Sequence, residues 1–272
     1  MKEVVLERFG KKVVNSDQPI SLVEDYLDNV VCINLDRAEE RLSTLTEKLE
    51  KQHISWRRFS AYDTSCLEPV SVASSGDPAV FVDPMTNKEY KSGWNQSGHL
   101  GAARSHREVI KYAKYNKLSS ITIFEDDLEF FGDLKATFTS HFKYVPDDWD
   151  IIFLGGGIRY RARPVFVNRY VVKATRTWGM LAYIARDTIY DDLLKAFSDQ
   201  GITDHEGLTF SLDWSLQKMQ RQKNIYALYP PMVHHDCNKY SFCSGRTLGN
   251  VDDNIYLHFD REKDGGLRKR SI

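Results

Sequence analysis

Three consecutive carboxylates, Glu125, Asp126 and Asp127, follow a short β-forming run at residues 119–124. The run is rich in β-branched and aromatic residues, which predicts a buried strand. Adjacent carboxylates repel one another, and they stay ionised together most easily when a cation lies among them. Hard divalent ions take oxygen ligands, and open α/β sheets bind ligands beyond the carboxyl ends of their strands. The triplet therefore predicts a metal–phosphate site, with an acidic surface turn as the alternative.

Polar side chains also follow the first predicted strand, at residues 30–35. The segment at its end reads Asn34, Leu35, Asp36 and Arg37. Asp36 could cap the helix that follows, whereas Arg37 and Arg41 could reach a phosphate or a base. These side chains face the same crevice as the acidic triplet if the two strands are neighbours in the sheet.

A glycine-containing segment, residues 98–106, opens a predicted helix that precedes the triplet. Small residues let the backbone approach a ligand closely, and a helix N-terminus favours anions. Ser105 and His106 lie one turn into this helix and could contact such a ligand, although a histidine there is often only a structural residue. The glycine spacing matches neither the Rossmann fingerprint nor the P-loop, which argues against kinases and NTPases of those types.

Two later segments carry further side chains suited to chemistry. Trp178 and Gly179 precede an apolar run, and Asp213 lies beside a tryptophan in a long helical pattern. An aspartate in that setting is either a general base or a hydrogen-bond acceptor in the core, and the sequence leaves both open. His234 and His235 follow a Pro-Pro turn, which would place them at the same edge of the sheet.

The predicted elements alternate between strand and helix. Strands are predicted at residues 30–35, 56–61, 119–124, 149–154, 170–175 and 224–228, and helices at 38–52, 101–116, 187–198 and 205–221. Residues 64–98, where Ser, Gly, Pro and Asp cluster, are predicted to form a long loop. The alternation predicts one α/β domain with a mostly parallel sheet and helices on both faces. The charged C-terminal tail, about residues 260–272, is predicted to fray.

The composition shows no strong charge bias. The chain has 272 residues, with 37 Lys+Arg against 38 Asp+Glu and a formal net charge of −1. A net charge this small does not attract the protein to nucleic acid or to an anionic membrane, so specificity for a charged ligand must come from a local site. The first residues lack the apolar core of a signal peptide, and no stretch approaches the roughly 20 apolar residues of a membrane span. A cytoplasmic or otherwise soluble protein is therefore expected.

Several segments, taken in order, resemble glycosyltransferase family 25, which includes lipooligosaccharide galactosyltransferases and procollagen galactosyltransferase domains. The resemblance runs from about residue 30 to about residue 236. Its landmarks are VVCINLDRAEERL, RRFSAYD, GHLGAARSHREVI, ITIFEDDLEFF, PDDWDIIFLGGG, WGMLAYIARD and SLDWSLQKM. The order and spacing of these segments carry the resemblance more than any one of them.

The resemblance implies a single GT-A domain, a Rossmann-like fold that binds a nucleotide sugar, with its core at about residues 28–240. It implies a UDP-sugar donor and a Mn²⁺ or Mg²⁺ ion. Asp127 would bind the ion, Glu125 would face the ribose or the ion, and His234 or His235 would be a late ligand of the metal or diphosphate. The implied nucleotide-sugar site comprises Asn34, Leu35, Asp36, Arg37, Arg41, Ser105, His106, Glu125, Trp178 and Gly179.

The resemblance further implies transfer of a hexose, galactose ahead of glucose, to an acceptor hydroxyl with inversion at the anomeric carbon. Inversion requires a base for the acceptor proton, and Asp213 is the first candidate, with Asp126 second. The acceptor would be a glycan, a lipid-linked saccharide or a hydroxylysine-bearing protein, and a homodimer is allowed. Two other classes stay open: an inactive GT-A-like binding module, and a metal-dependent phosphoryl hydrolase, which would need a further nucleophilic aspartate or a second metal cluster.

Overall fold

A computed structural model describes residues 8–13, 24–27, 29–67, 69–71, 77–83, 86–92, 97–158, 165–204, 208–209, 211–236, 240–241 and 246–247. The charged tail predicted at residues 260–272 lies outside these ranges. The strands, numbered in chain order, are β1 Phe9–Val13, β2 Val30–Asn34, β3 Trp56–Ser60, β4 Pro69–Ser71, β5 Ala79–Asp83, β6 Lys88–Ser92, β7 Ser120–Glu125, β8 Leu128–Phe130, β9 Ile151–Ile158, β10 Val165–Phe166, β11 Val171–Lys173, β12 Thr177–Arg186, β13 Leu208–Thr209, β14 Ile225–Leu228, β15 Val233–His235, β16 Tyr240–Ser241 and β17 Arg246–Thr247.

The structure has a helix in each of the four regions where the sequence predicts one. The helices are α1 Glu24–Leu27, α2 Glu39–Lys51, α3 Gly98–Tyr115, α4 Leu134–Phe142, α5 Tyr190–Ala196 and α6 Leu212–Met219, with a 3₁₀ turn at Asp187–Ile189 before α5. None of the described helices is long and apolar enough to cross a membrane.

The large sheet confirms the predicted α/β class. Among the described residues its order is β1-β3-β2-β7-β12-β9-β14-β11-β10, and β15 pairs with β9 and β8. Strands β2, β3, β7, β9, β14 and β15 point the same way, because β12 runs antiparallel to both β7 and β9 between them. Their carboxyl ends therefore meet at one edge, where ligands bind in such sheets.

Helices cover both faces of this sheet, as predicted. On one face α2 and α4 pack through residues such as Leu45, Leu49 and Phe138. On the other face α3, α5 and α6 pack through residues such as Val109, Leu193 and Leu216. Strand β7 is buried from Ser120 to Phe124. A strand covered by helices on both faces reads as a continuous apolar run rather than an alternating one.

The predicted loop at residues 64–98 is wrong, because much of this segment forms a second sheet. Its order is β13-β6-β5-β4, and β5 pairs antiparallel with β6 from Ala79 opposite Ser92 to Asp83 opposite Lys88. Along β5, buried and half-buried residues alternate, as in a strand with one covered face. The Ser, Gly and Pro residues between these short strands concealed that pattern.

The helix predicted at residues 205–221 begins seven residues later than expected, at Leu212. Leu208 and Thr209 instead form β13, which pairs in parallel with β6. Residues 205–207 and 210 lie outside the described ranges. Asp213 is consequently in the first turn of α6, close to the strand ends of the large sheet.

Candidate active site

The acidic triplet lies where β7 ends, next to the end of β2. Glu125 is the last residue of β7 and pairs with Ile33 of β2, so Asn34 lies beside the turn that carries Asp126 and Asp127. The sequence analysis assumed that these two strands are neighbours in the sheet, and they are.

Asp126 is bound on both carboxylate oxygens. Asn34 Nδ2 donates to its Oδ2 at 2.7 Å, and Arg41 Nη1 donates to its Oδ1 at 2.7 Å. Burial and the neighbouring Asp127 raise the pKa of Asp126 to about 6, although Arg41 and Asn34 oppose that rise. The structure therefore places Asp126, the second candidate for the base, as an anchor between β2, α2 and the acidic turn.

Asp127 has different surroundings from its neighbour, and its Oδ1 atom is buried. Its Oδ1 has no hydrogen-bond partner among the described residues, although it lies 3.6 Å from Nδ1 of His235. Its Oδ2 lies 3.8 Å from Arg41 Nη1. Burial would raise the pKa of Asp127, but His235 and Arg41 outweigh burial, and the pKa lies below its usual value. A buried carboxylate oxygen without a hydrogen bond is ready to accept a ligand.

His235 reaches Asp127 because β15 pairs in parallel with β9 at Gly155 and antiparallel with β8, which follows the acidic turn. The Asp236 N–H donates to the carbonyl of Asp127 at 2.7 Å, which ties β15 to the acidic turn. Burial would lower the pKa of His235, but Asp127, Glu125 and Asp213 raise it to about 9. His234 instead stacks on the ring of Phe131, with centroids 4.1 Å apart. Of the two predicted histidines, His235 is the one beside the triplet's last carboxylate.

Asp213 joins the same cluster from α6. The Gly179 N–H donates to its Oδ1 at 2.9 Å, and Gly179 has a φ of +88°, which favours glycine. Burial and the nearby Glu125 raise the pKa of Asp213 to about 6, against the opposing influence of Gly179, His106 and His235. The neighbouring Trp178 pairs with Gly157 through its backbone, and its side chain lies outside what the structure describes.

His106 is buried beside Glu125. Its side chain is 1% exposed, its Nε2 lies 3.1 Å from Glu125 Oε1, and its Nδ1 lies 2.9 Å from the hydroxyl of Tyr183. Ser105, the residue before it, donates its hydroxyl to Gly101 O at 2.7 Å and accepts from Tyr62 N at 2.9 Å. Ser105 and His106, which were both predicted for the nucleotide-sugar site, are therefore hydrogen-bonded within the protein itself.

The segment after β2 lies at the same edge, but Asp36 does not cap α2. Ala38 holds the N-cap position of α2, without a side-chain bond, and its N–H donates to Leu35 O at 2.9 Å. Asp36 instead accepts from Arg58 Nη2 at 2.6 Å and from Ser60 Oγ at 2.8 Å. Arg37 pairs with Asp63 at 2.6 Å on the surface.

Three residues that the sequence reasoning did not select take part in the site. Arg58 Nε donates to Asn34 Oδ1 at 3.0 Å, and Tyr183 bonds His106. Lys48 donates to Leu128 O at 2.9 Å and lies 3.5 Å from the Asp236 carboxylate. Each lies inside a strand or helix and belongs to no motif, so the sequence alone did not mark these residues as part of a site.

Comparison with known proteins shows which family this chain belongs to. The chain is similar to a crystal structure described as A197 from STIV, with 9% identity, a TM-score of 0.41 and coverage of 81% of this chain and 93% of that one. The sequence profile of the family described as glycosyltransferase family 25 (LPS biosynthesis protein) matches residues 28–200. This range contains β2, α3 and the acidic triplet and spans more than half of the chain. The chain belongs to glycosyltransferase family 25.

Proposed function

We propose that this glycosyltransferase moves a hexose, galactose ahead of glucose, from a UDP-sugar to an acceptor hydroxyl with the help of a divalent cation. The observation that carries the proposal is the buried Asp127 Oδ1, which has no hydrogen bond to the described residues and lies 3.6 Å from His235. Glu125 and Asp213 lie close enough to influence the pKa of His235.

The donor set fits a cation that shares its coordination with a substrate. Among the described residues no group of three or more His, Cys, Asp or Glu is arranged to hold a metal ion. Mg²⁺-type sites commonly use one or two carboxylates, with substrate phosphates and water as the other ligands. Asp127 would hold Mn²⁺ or Mg²⁺ together with His235, which would release its proton as the cation binds. Glu125 would face the ion, and the bound ion would neutralise the leaving diphosphate.

Asp213 is the proposed base. Its Oδ1 accepts the Gly179 N–H, and its Oδ2 makes no hydrogen bond to the described residues. With a pKa raised to about 6, the carboxylate is ionised near neutral pH yet basic enough to take the proton of an acceptor hydroxyl. A base that removes this proton while the sugar is attacked from the face opposite to UDP supports transfer with inversion.

The nucleotide would lie along the ends of β2 and β3. Arg37 and Arg58 are partly exposed there, and Asn34 and Arg41 hold the acidic turn beside them. Guanidinium groups suit a phosphate or a ribose–base edge. For the acceptor we propose a saccharide of the lipopolysaccharide type, as the family description suggests, and a hydroxylated protein is the alternative outcome of the test.

Release of UDP from a panel of UDP-sugars tests the proposal. Each donor is incubated with Mn²⁺, with Mg²⁺ or with a chelator, and with a saccharide acceptor, a hydroxylysine peptide or no acceptor. Metal-dependent release that is greatest with UDP-galactose and a saccharide is expected. Equal release in chelator would contradict the cation, and no release from any donor would contradict the UDP-sugar. NMR of the product would show which anomer forms.

A further inference from the structure

His106 is fully engaged between two side chains of the large sheet. Its ring stacks on Tyr183 with the planes 15° apart, and its two nitrogens face the Tyr183 hydroxyl at 2.9 Å and Glu125 Oε1 at 3.1 Å. His106 and Tyr183 are 77 residues apart in the chain. They meet because α3 packs on β12, next to β7, where Tyr183 pairs with Ile123.

The bonding capacity of these groups sets the direction of both hydrogen bonds. An ionised carboxylate can only accept, so the proton at that contact belongs to His106 Nε2. Tyr183 is fully buried, and its hydroxyl has no other hydrogen-bond partner among the described residues. Burial, with the nearby Glu125, raises the pKa of Tyr183 well above its usual value, so the phenol keeps its proton. That proton must be donated to Nδ1, because a buried hydroxyl proton without an acceptor is costly.

We infer that Tyr183 and His106 are positioning residues that form a hydrogen-bond relay of fixed direction and hold the Glu125 carboxylate in place at the mouth of the site. The inference rests on the proposed function, because it assigns a purpose to the orientation of Glu125. Tyr183 donates to Nδ1 of His106, and Nε2 of His106 donates to Oε1 of Glu125. Glu125 Oε2 makes no hydrogen bond to the described residues and is left for a ligand.

The relay explains a residue choice that packing alone does not. A hydrophobic side chain could fill the place of His106 between β7 and β12, but it would leave a tyrosine hydroxyl and a carboxylate oxygen without partners. Residues that orient a ligand-binding carboxylate typically change affinity or activity by roughly 10- to 100-fold when they are removed.

The protonation site of His106 tests the relay without donor, metal or activity. In protein with ¹⁵N-labelled histidine, long-range ¹H–¹⁵N correlation is expected to show the His106 proton on Nε2. In Tyr183→Phe, which keeps the ring and removes the hydroxyl, the proton is expected to stay on Nε2 because Glu125 still accepts it, and the ¹⁵N chemical shift of Nδ1 is expected to change because Nδ1 loses its donor. A proton on Nδ1 in the unsubstituted protein, or an unchanged spectrum in Tyr183→Phe, would overturn the relay.

Kinetics then separate positioning from a merely structural role. His106→Leu is expected to lower kcat roughly 10- to 100-fold with a smaller change in donor KM, whereas His106→Gln, which can both donate and accept, should recover most of that loss. His141→Leu is the matched control, because His141 is buried on α4 against the opposite face and bonds Thr137 O at 2.7 Å.

The control should lose melting temperature but keep its kinetics. Equal kinetic losses in His141→Leu and His106→Leu, or no recovery in His106→Gln, would overturn the inference. Absence of turnover in the unsubstituted protein would overturn the proposed function instead. The NMR measurement of the His106 tautomer would then still test the relay.

Discussion

Adjacent residues of the acidic triplet have opposite surroundings. Asp126 has a donor on each oxygen, Asn34 and Arg41, whereas Asp127 has a buried oxygen with no hydrogen bond among the described residues. The first carboxylate therefore stabilises the turn, and the second is available to a ligand. A similar division separates His234, which stacks on Phe131, from His235, which faces Asp127.

Replacing Asp127 with alanine should abolish metal-dependent UDP release and leave the fold intact. A metal ligand supplies several kcal/mol of transition-state stabilisation, and its loss lowers the rate about a hundredfold or more. UDP release across a Mn²⁺ titration measures the effect, and circular dichroism checks the fold. Asp191→Asn, at an exposed carboxylate on α5, is the matched control. Undiminished turnover in the Asp127 variant would exclude it as a ligand.

Asp213 should give the reaction an acidic limb in its pH profile. Because its pKa is raised to about 6, the carboxylate fraction increases as the pH rises through that value, so kcat/KM should rise and then level off. Asp213→Asn removes the base and should lower kcat on the order of 10²–10⁴-fold, and its residual rate should lose this limb. Initial rates from pH 5 to 8 measure both. If Asp213→Asn keeps the same rise in rate between pH 5 and 8, a group other than Asp213 titrates there.

At the scale of elements, the site is held together where β15 pairs in parallel with β9 and where the register between β12 and β9 shifts beside it. A Cβ on Gly155 would lie 2.2 Å from the carbonyl oxygen of Val233, so β9 and β15 approach more closely than any side chain at residue 155 allows. A Cβ on Gly179 would lie 3.4 Å from Nε2 of His235. Gly155 thus lets β15 bring His235 to Asp127, and Gly179 lets β12 lie beside His235 while its N–H holds Asp213 of α6.

Gly155→Ala should destabilise the protein and disturb the site together. The new methyl group would meet backbone, which cannot rotate away, and overpacking of this kind costs about 1–3 kcal/mol. Thermal denaturation measures the loss, and UDP release should fall with it because β15 carries His235. Gly10→Ala is the control, since its Cβ would lie 3.6 Å from the nearest atom, an ordinary contact. Equal melting temperatures for the two variants would show that β15 can yield.

At the scale of the whole molecule, the second sheet is tied to the body of the domain by a polar cluster. Tyr90 of β6 donates its hydroxyl to Asp199 at 3.0 Å and accepts from Arg104 of α3 at 2.7 Å. Arg104 also lies 3.3 Å from Asp83 of β5. The described strands within the segment predicted to be a loop thus form a sheet that is anchored to α3, the helix that carries His106.

UDP together with Mn²⁺ should raise the melting temperature of the whole domain. A ligand that binds only the native state adds about 2.7 kcal/mol at a hundredfold excess over Kd, roughly 5–10 °C for a domain of this size. Differential scanning fluorimetry measures the shift, with UDP alone, Mn²⁺ alone and Asp127→Ala as controls. A flat titration would contradict the nucleotide site and favour a module that binds another ligand.

The sequence by itself determined the α/β class, the family and most of the elements that position the site. Buried strands such as β7 are continuous apolar runs, and α2 and α3 have the spacing of helices with one covered face, so local patterns were enough. The order of the landmark segments indicated the family, which the profile match confirms. The small sheet, β12 and the start of α6 were not predicted. Turn-forming residues conceal the local pairing of β5 with β6, and β13 pairs with β6 only through contacts between distant segments.

Only the tertiary structure decided which of these residues act together. Asn34 bonds Asp126 across 92 residues of chain, and His106 bonds Tyr183 across 77. Such pairings depend on strand order and on how helices pack, which no local spacing records. Neighbouring carboxylates and neighbouring histidines look equivalent in a sequence. They differ in the folded protein because burial and the nearest donor differ at each position, and these set whether a side chain holds the site together or faces its ligand.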